Sequence, residues 1–134
     1  MPHTVVIGVG GNVADVLRRL QKLLIFFQRD SRVSLKRSSP IVKNPPFGFL
    51  EQEYFFNAVL VVQTTMKPDT FMRYLLGVER RFGRVRSFKN GPRTLDLDIL
   101  FFDNLKIQSN ILSVPHPHWQ ERSSVIVPLS YLVC

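Results

Sequence analysis

Cysteine is almost absent from this sequence. The one that occurs, Cys134, cannot form an internal disulfide or build a cysteine-rich zinc site. A disulfide framework is thereby excluded as a source of stability, which suits a reducing compartment. Long apolar runs are lacking too. No stretch of about eighteen apolar residues is present, so no spanning helix and no membrane partner are expected. The first residues show no basic segment followed by an apolar stretch, so a cytoplasmic location is expected and not secretion. The familiar glycine-rich phosphate loops are also missing. There is no Walker A sequence, and in the turn that follows Gly8-Val9-Gly10-Gly11 the third glycine position of a dinucleotide fingerprint is Val13. Acidic residues are scarce, with 10 Asp and Glu against 18 Lys and Arg.

The resulting net charge of +8 attracts polyanions: nucleic acid, an anionic membrane or a phosphorylated small molecule. Its distribution narrows the choice. Basic residues concentrate at 29–37 and at 80–93, and the second group runs directly into the aspartates Asp96 and Asp98. Carboxylates beside a phosphate-binding patch repel phosphate unless a cation intervenes, so a metal-assisted phosphate site fits better than a plain nucleic-acid surface. A chain of 134 residues fits one domain, 1–134, and buries roughly two thirds of its unfolded surface without staples.

The patterning predicts the elements. The β-branched run at 4–9 reads as a buried strand, and Gly10-Gly11-Asn12 as a turn. Val16, Leu20, Leu23, Leu24 and Phe27 recur at helical spacing after Asp15, with Arg18, Arg19, Gln21 and Lys22 on the solvent side. A second strand is expected at 33–42, ended by Pro45-Pro46, and a third at 55–65. Pro68 opens a second helix with Phe71, Leu75, Val78 and Phe82 on one face. Residues 83–92 are polar, basic and bounded by glycine, and read as a loop that orders over a bound nucleotide. A fourth strand is expected at 94–102, an extended piece at 112–117, a short helical turn at 118–123 and an apolar tail at 125–133. The order β-α-β-β-α-β predicts an α+β, ferredoxin-like sandwich. That fold hosts RNA binders, metal carriers and enzymes alike, so function must come from the site.

The chemistry concentrates in Gly91-Pro92-Arg93-Thr94-Leu95-Asp96-Leu97-Asp98-Ile99-Leu100. On a strand, Asp96 and Asp98 point to one face, about 7 Å apart along the chain, while Leu95, Leu97 and Ile99 point to the other. Two carboxylates so placed repel one another, and a hard divalent cation relieves the repulsion. Magnesium favours this donor set, completing its shell with water and substrate phosphates. Arg84, Arg86 and Arg93 flank the same segment, and guanidinium forks grip phosphate oxygens in pairs. Carboxylates, arginines and a closing loop are the parts that phosphoryl transfer requires.

These residues resemble a known family. Gly83-Arg84-Val85-Arg86, Gly91-Pro92-Arg93-Thr94-Leu95-Asp96-Leu97-Asp98, Val114-Pro115-His116 and Arg122 look like the hallmark blocks of 6-hydroxymethyl-7,8-dihydropterin pyrophosphokinases. Gly10-Gly11-Asn12, the turn Asn44-Pro45-Pro46-Phe47-Gly48, Phe55-Phe56-Asn57 and Glu79 extend the resemblance over nearly the whole chain. It implies an enzyme that moves the β,γ-pyrophosphoryl unit of ATP to a pterin hydroxymethyl group and releases AMP; a monomer without nucleic-acid partners is expected. By that likeness Asp96 and Asp98 would hold two Mg2+ ions, with Asp96 also near the pterin. Arg84 and Arg93 would be the main catalytic cations, and Arg86 a loop residue closing on ATP. Asn44, Pro45, Pro46, Phe47, Phe55 and Asn57 would bind the pterin. Glu79, Ile99, Ser113, His116 and Arg122 would meet the nucleotide.

The sequence also departs from the family pattern. The usual Gly-Ser-Asn is Gly10-Gly11-Asn12, Asn90 replaces a frequent tryptophan, Ile111 an arginine, Pro117 an aromatic, and Ser124 a second pterin-stacking ring. Phe47, Phe88 and Trp119 are candidates to fill that face. A ferredoxin-like RNA-binding module is the alternative, with Phe101 and Phe102 as its nearest candidate base platform.

The aspartate pair yields a direct test. Asp98→Asn should fold normally and lose several orders of magnitude in turnover, on the order of what removing a charge-neutralising metal ligand costs. Steady-state rates across a magnesium titration check this, and near-normal magnesium-dependent turnover in the variant would refute the metal assignment.

Overall fold

The computed structural model describes residues 2–45, 51–83, 94–117 and 119–132. The first strand, β1 (His3–Gly11), buries alternate residues Val5, Ile7 and Val9 and then both Gly10 and Gly11. A short turn leads to a helix, α1 (Val16–Arg29), whose buried residues Val16, Leu20, Leu23 and Phe27 form the stripe expected from spacing. Asp15, with φ 55°, makes the turn between them. Then follow β2 (Ser34–Ser38), β3 (Val42–Asn44) and β4 (Phe55–Thr64). The second helix, α2 (Pro68–Arg81), has proline in its first turn, Asp69 near its N-terminus and Arg80 and Arg81 near its C-terminus, each placed to suit the helix dipole. Gly83, with φ 81°, takes the chain out of α2 in a conformation that side chains disfavour. The remainder is β5 (Asp96–Phe102), a small pair formed by β6 (Ile107–Gln108) and β7 (Ser113–Val114), a 3-10 turn at Trp119–Glu121, and α3 (Ser123–Ser130).

The main sheet has the order β2-β4-β1-β5, with β3 also beside β4, and its strand pairs are antiparallel. One face carries the larger core, where Ile7, Leu60, Leu97 and Phe102 meet Leu20, Leu23 and Phe27 of α1 and Phe71 and Leu75 of α2. The other face carries a smaller cluster, in which Val59 and Leu100 pack against Val125 and Leu132. With apolar groups on both sides, the central strands carry unbroken apolar runs, Val5-Val6-Ile7 in β1 and Ala58-Val59-Leu60-Val61-Val62 in β4, as doubly covered strands do.

Two expectations need correction. The strand anticipated at 33–42 is interrupted: β2 and β3 flank Ser39-Pro40-Ile41. Pro40 has no N–H to offer a ladder, and Ser39 compensates. Its amide donates to the Val59 carbonyl (2.9 Å), and its hydroxyl accepts from the Val59 amide (2.8 Å). The side chain thus stands in for a backbone carbonyl, and β2 and β3 track one neighbour, β4. The apolar tail at 125–133 is instead the helix α3, despite Pro128 within it. Its sequence shows little helical contrast because the uncovered side is apolar too: Val125 is buried, whereas Ile126, Val127 and, just after the helix, Tyr131 are exposed.

An ion pair just after α1 ties that helix's C-terminal end to the middle of α2 and the end of β4. Arg32 donates from Nε and a terminal nitrogen to the Asp30 carboxylate at 3.0 and 2.8 Å. The Tyr74 hydroxyl adds a bond of 2.9 Å, and Thr64 donates to the Arg32 carbonyl at 3.0 Å. The Arg32 guanidinium lies 4.8 Å above the Tyr74 ring. The Asp30 side chain is 7% exposed and that of Arg32 61%, so the carboxylate depends on its partners for solvation. The Arg32 hydrogen bonds hold the Asp30 carboxyl down at about 2, and burial and Asp30 push the Tyr74 hydroxyl up.

A group depressed from 3.8 to about 2 stabilises the fold above its unfolded value and ceases to do so as pH falls through its folded one. The contribution should therefore be whole above pH ~4 and gone below pH ~2, about 1–2 kcal/mol once solvent screening at the exposed arginine is allowed for. Denaturant melts of wild type and Asp30→Asn between pH 5 and pH 2 measure it. The variant should show the shallower loss, and equal slopes would locate acid sensitivity elsewhere.

Candidate active site

The site begins with the alternation of β5. Leu95, Leu97 and Ile99 are at most 3% exposed and enter the larger core, so Asp96 and Asp98 face the opposite side of the sheet. The neighbouring strand meets them with glycine. Asp96 pairs with Gly10 and Asp98 with Gly8, leaving bare backbone beside both carboxylates. On the far side of β1, Gly10 pairs with Asn57, and Asn57 in turn with Val42 of β3. Cross-strand partners share a face, so Asp96, Gly10 and Asn57 form a row across three strands.

The two glycines are not equivalent. A Cβ at Gly8 would have Leu100 as its nearest neighbour, at an ordinary 3.5 Å. A Cβ at Gly10 would collide with Asn57 Nδ2 and come within 3.1 Å of the Phe56 carbonyl oxygen. The Asn57 amide therefore lies across Gly10, towards the column that holds Asp96. Asn44, 6% exposed, donates from Nδ2 to Asn57 Oδ1 at 3.2 Å and fixes the orientation of that amide. Asn44 itself pairs with Phe55, which stands two residues before Asn57 on the same face. Two carboxylates, two amides and an aromatic ring are thus assembled on one side of the sheet. A flat heterocycle bearing donors and acceptors would find partners in the amides, a ring in Phe55, and carboxylates beside it.

Glu79 lies elsewhere. It is 4% exposed on α2, and its carboxylate accepts a 2.6 Å bond from the amide of Leu97, the residue between the two aspartates. A carboxylate accepting a backbone N–H makes a strong, charge-assisted bond, so Glu79 fixes the strand from which Asp96 and Asp98 project. The Ile99 side chain is in the core, which leaves only its main chain for a ligand. Ser113 is on β7, and the His116 amide donates to the Leu100 carbonyl at 2.9 Å, laying that segment along β5. Arg122 stands at the start of α3, and its carbonyl accepts from Val125 and Ile126 at 3.0 and 2.9 Å. Ser124 is in the first turn of α3, half-buried. Trp119 packs edge-on against Phe101 with ring centres 5.1 Å apart. That contact occupies Phe101, and Phe102 is fully buried, so neither offers the open platform an RNA-binding module needs. Pro45 is exposed just beyond β3. Pro46, Phe47, Phe88, Arg84, Arg86 and Arg93, with the loop expected to close on nucleotide, lie outside the described residues.

One contributor was not legible from spacing. Arg19, read as a solvent-side residue of α1, sends its guanidinium to the carbonyls of Val13 and Thr94, both at 2.9 Å, and of Ala14 at 2.8 Å. Helical position signals only which way the side chain leaves the helix. The carbonyls come from the turn before α1 and from the bend that leads into β5, 75 residues on.

Comparison with known proteins identifies what this arrangement accompanies. A family described as 7,8-dihydro-6-hydroxymethylpterin-pyrophosphokinase matches residues 6–133. The 2-amino-4-hydroxy-6-hydroxymethyldihydropteridine pyrophosphokinase of Helicobacter pylori is 42% identical over 130 residues, 96% of this chain and 80% of that protein. Its counterpart in Campylobacter jejuni is 38% identical, covering 97% of this chain and 83% of that one. The Pseudomonas aeruginosa protein of the same name is 36% identical, with 98% and 82% covered.

The Gly10–Asn57 packing carries a prediction. Gly10→Ala should turn the Asn57 side chain away and break its bond to Asn44, at a cost of roughly 1–3 kcal/mol in stability for the overpacking. Side-chain amide resonances of Asn44 and Asn57 report the broken bond, and thermal melts the cost. Gly8→Ala should change neither, and equal effects at both positions would contradict the packing described.

Proposed function

The chain belongs to the 7,8-dihydro-6-hydroxymethylpterin-pyrophosphokinase family, and from that premise we infer that it transfers the pyrophosphoryl group of ATP to 6-hydroxymethyl-7,8-dihydropterin, with release of AMP, in folate synthesis. It is an ATP-dependent diphosphotransferase. The observation that carries the reading to this chain's own atoms is the row Asp96–Gly10–Asn57, in which a carboxylate of the specific Leu95-Asp96-Leu97-Asp98 run shares a face with the amide and ring suited to a pterin. The fold is proposed to be ferredoxin-like. Counting β2 and β3 as one interrupted strand, the sheet runs second-third-first-fourth, all antiparallel, which supports that assignment. One domain is proposed for residues 1–134.

In the proposed mechanism, Asn57, steadied by Asn44, reads the polar edge of the pterin, and Phe55 stacks on its plane. The hydroxymethyl group is thereby directed towards Asp96. Its oxygen loses its proton to water and bonds to the β-phosphorus of ATP as the bond from that phosphorus to the bridging oxygen breaks and AMP leaves with that oxygen. Asp96 and Asp98 would hold two Mg2+ ions. Among the described residues no group of three or more His, Cys, Asp or Glu forms a metal cage, which fits a hard cation whose shell substrate oxygens complete. Such ions neutralise the charge of the transferring phosphates. Arg84, Arg86 and Arg93 are proposed to grip the triphosphate, and Ser113, His116, Arg122 and the Ile99 main chain to receive the nucleotide. Glu79 contributes by holding Leu97, so that both aspartates keep their spacing.

The enzyme is proposed to act as a cytoplasmic monomer on small molecules, without nucleic-acid or membrane partners. In the described residues no helix is long and apolar enough to cross a membrane.

The decisive experiment supplies ATP, magnesium and the hydroxymethyl dihydropterin and follows phosphorus resonances. AMP and a pterin pyrophosphate should accumulate in equal amounts, and chelation with EDTA should stop both. Production of ADP would refute pyrophosphoryl transfer. Tight, salt-sensitive RNA binding without ATP turnover would favour the binding-module alternative instead.

A further inference from the structure

The turn between β1 and α1 touches both halves of the site. On one side Asn12, 6% exposed, donates from Nδ2 to the Gln52 side-chain oxygen (2.8 Å) and the Glu53 carbonyl (2.9 Å). Those residues lead directly into Phe55 and Asn57. On the other side the carbonyls of Val13 and Ala14 are held by Arg19, whose guanidinium also reaches the Thr94 carbonyl, two residues before Asp96. The two contacts leave adjacent residues of one short turn. They link the strand that bears the amide and the ring to the strand that bears the carboxylates.

We propose that Arg19 is a positioning residue, which fixes the spacing between the aspartate strand and the acceptor-binding strand through the β1–α1 turn. The inference rests on the pyrophosphokinase reading of the site. A guanidinium is suited to this task because it is planar and carries five donors, so three carbonyls from two chain segments can be held at once. A lysine ammonium, a point charge on a flexible stem, cannot hold the same plane. Arg19 touches no reacting atom in this role. Its effect passes through Thr94 to Asp96 and through Val13 and Asn12 to the 52–57 segment. A misplacement of 1 Å between reacting groups costs about 10²-fold in rate, which is why one remote clamp matters.

Arg19 also lines a cleft of about 670 Å3, walled by Arg18, Lys22 and Arg81 near the ends of α1 and α2. The cleft gives small solutes access to the guanidinium position. That permits a test which a merely structural role would fail.

In Arg19→Ala, kcat should fall about 10- to 100-fold while KM for ATP and for pterin stay within about twofold of wild type. Added methylguanidinium should restore part of kcat. Amide hydrogen exchange at 95–98 and at 52–57 should quicken in the variant. A wild-type kcat, a loss confined to KM for ATP, or unchanged exchange would each overturn the proposal, as would a rate loss that methylguanidinium leaves untouched. Should the alanine protein not fold, Arg19→Lys and Arg19→Gln take its place at matched melting temperature. Both should lose kcat at unchanged KM, because neither restores the planar fork, and a wild-type kcat in either would overturn the clamp. Parallel wild-type assays for AMP separate the two levels: without AMP the functional reading fails, while the exchange measurement still decides whether Arg19 couples the two segments.

Discussion

Space above Gly10 is the constraint on which this site rests. β1 is the central strand, with β4 on one side and β5 on the other, so whatever stands at position 10 separates the amide of Asn57 from the carboxylate of Asp96. Any side chain there would displace the amide that Asn44 orients. Glycine weakens a strand interior by loss of packing and by backbone entropy. Here that cost is offset by pairing on both edges of β1 and by the Val5, Ile7 and Val9 side chains packed beneath it. The stability of the middle of the sheet is what permits an almost featureless backbone strip at its end.

The two faces of the sheet divide the labour. The face under α1 and α2 holds the large core and supplies rigidity. Among the described residues, the face bearing Asp96, Asp98 and Asn57 carries a smaller apolar cluster around α3, beside polar side chains of the same strands. Supports cross between the layers at chosen points. Glu79 reaches from α2 to the amide of Leu97, and Arg19 from α1 to the carbonyl of Thr94, so both helices hold the aspartate strand near its beginning. A catalytic constellation needs its first contacts held by such second supports.

How much of this was legible in the sequence follows from the range of each signal. Alternation on β5 separated Leu95, Leu97 and Ile99 from Asp96 and Asp98, because strand periodicity is a local property. The stripes of α1 and α2 were legible for the same reason. The break at Ser39-Pro40 was not, because a serine hydroxyl replacing a carbonyl depends on what Val59 presents from across the sheet. Helix α3 was missed because it is apolar on both its covered and its uncovered side, which removes the periodic contrast. Arg19 reads as a solvated cation, and the likeness that assigns Glu79 to the nucleotide gives no sign of its bond to the backbone. Their bonds to Thr94 and Leu97 join residues far apart in the chain, and spacing carries no record of them.

The borders of the sheet have a consequence for behaviour in a crowded solution. An open strand border offers unpaired amides and carbonyls on which a second molecule can add its own strand, the first step towards aggregates. In this fold both borders are blunted. Along β2 and β3 the ladder is bent by the register shift between Leu35 and Arg37 and interrupted at Pro40. Along β5 the Leu97 amide is taken by Glu79 and the Leu100 carbonyl by His116. The Glu79 bond that holds the strand between the two aspartates therefore also denies a neighbouring molecule its template, so that one hydrogen bond serves both local order and colloidal protection.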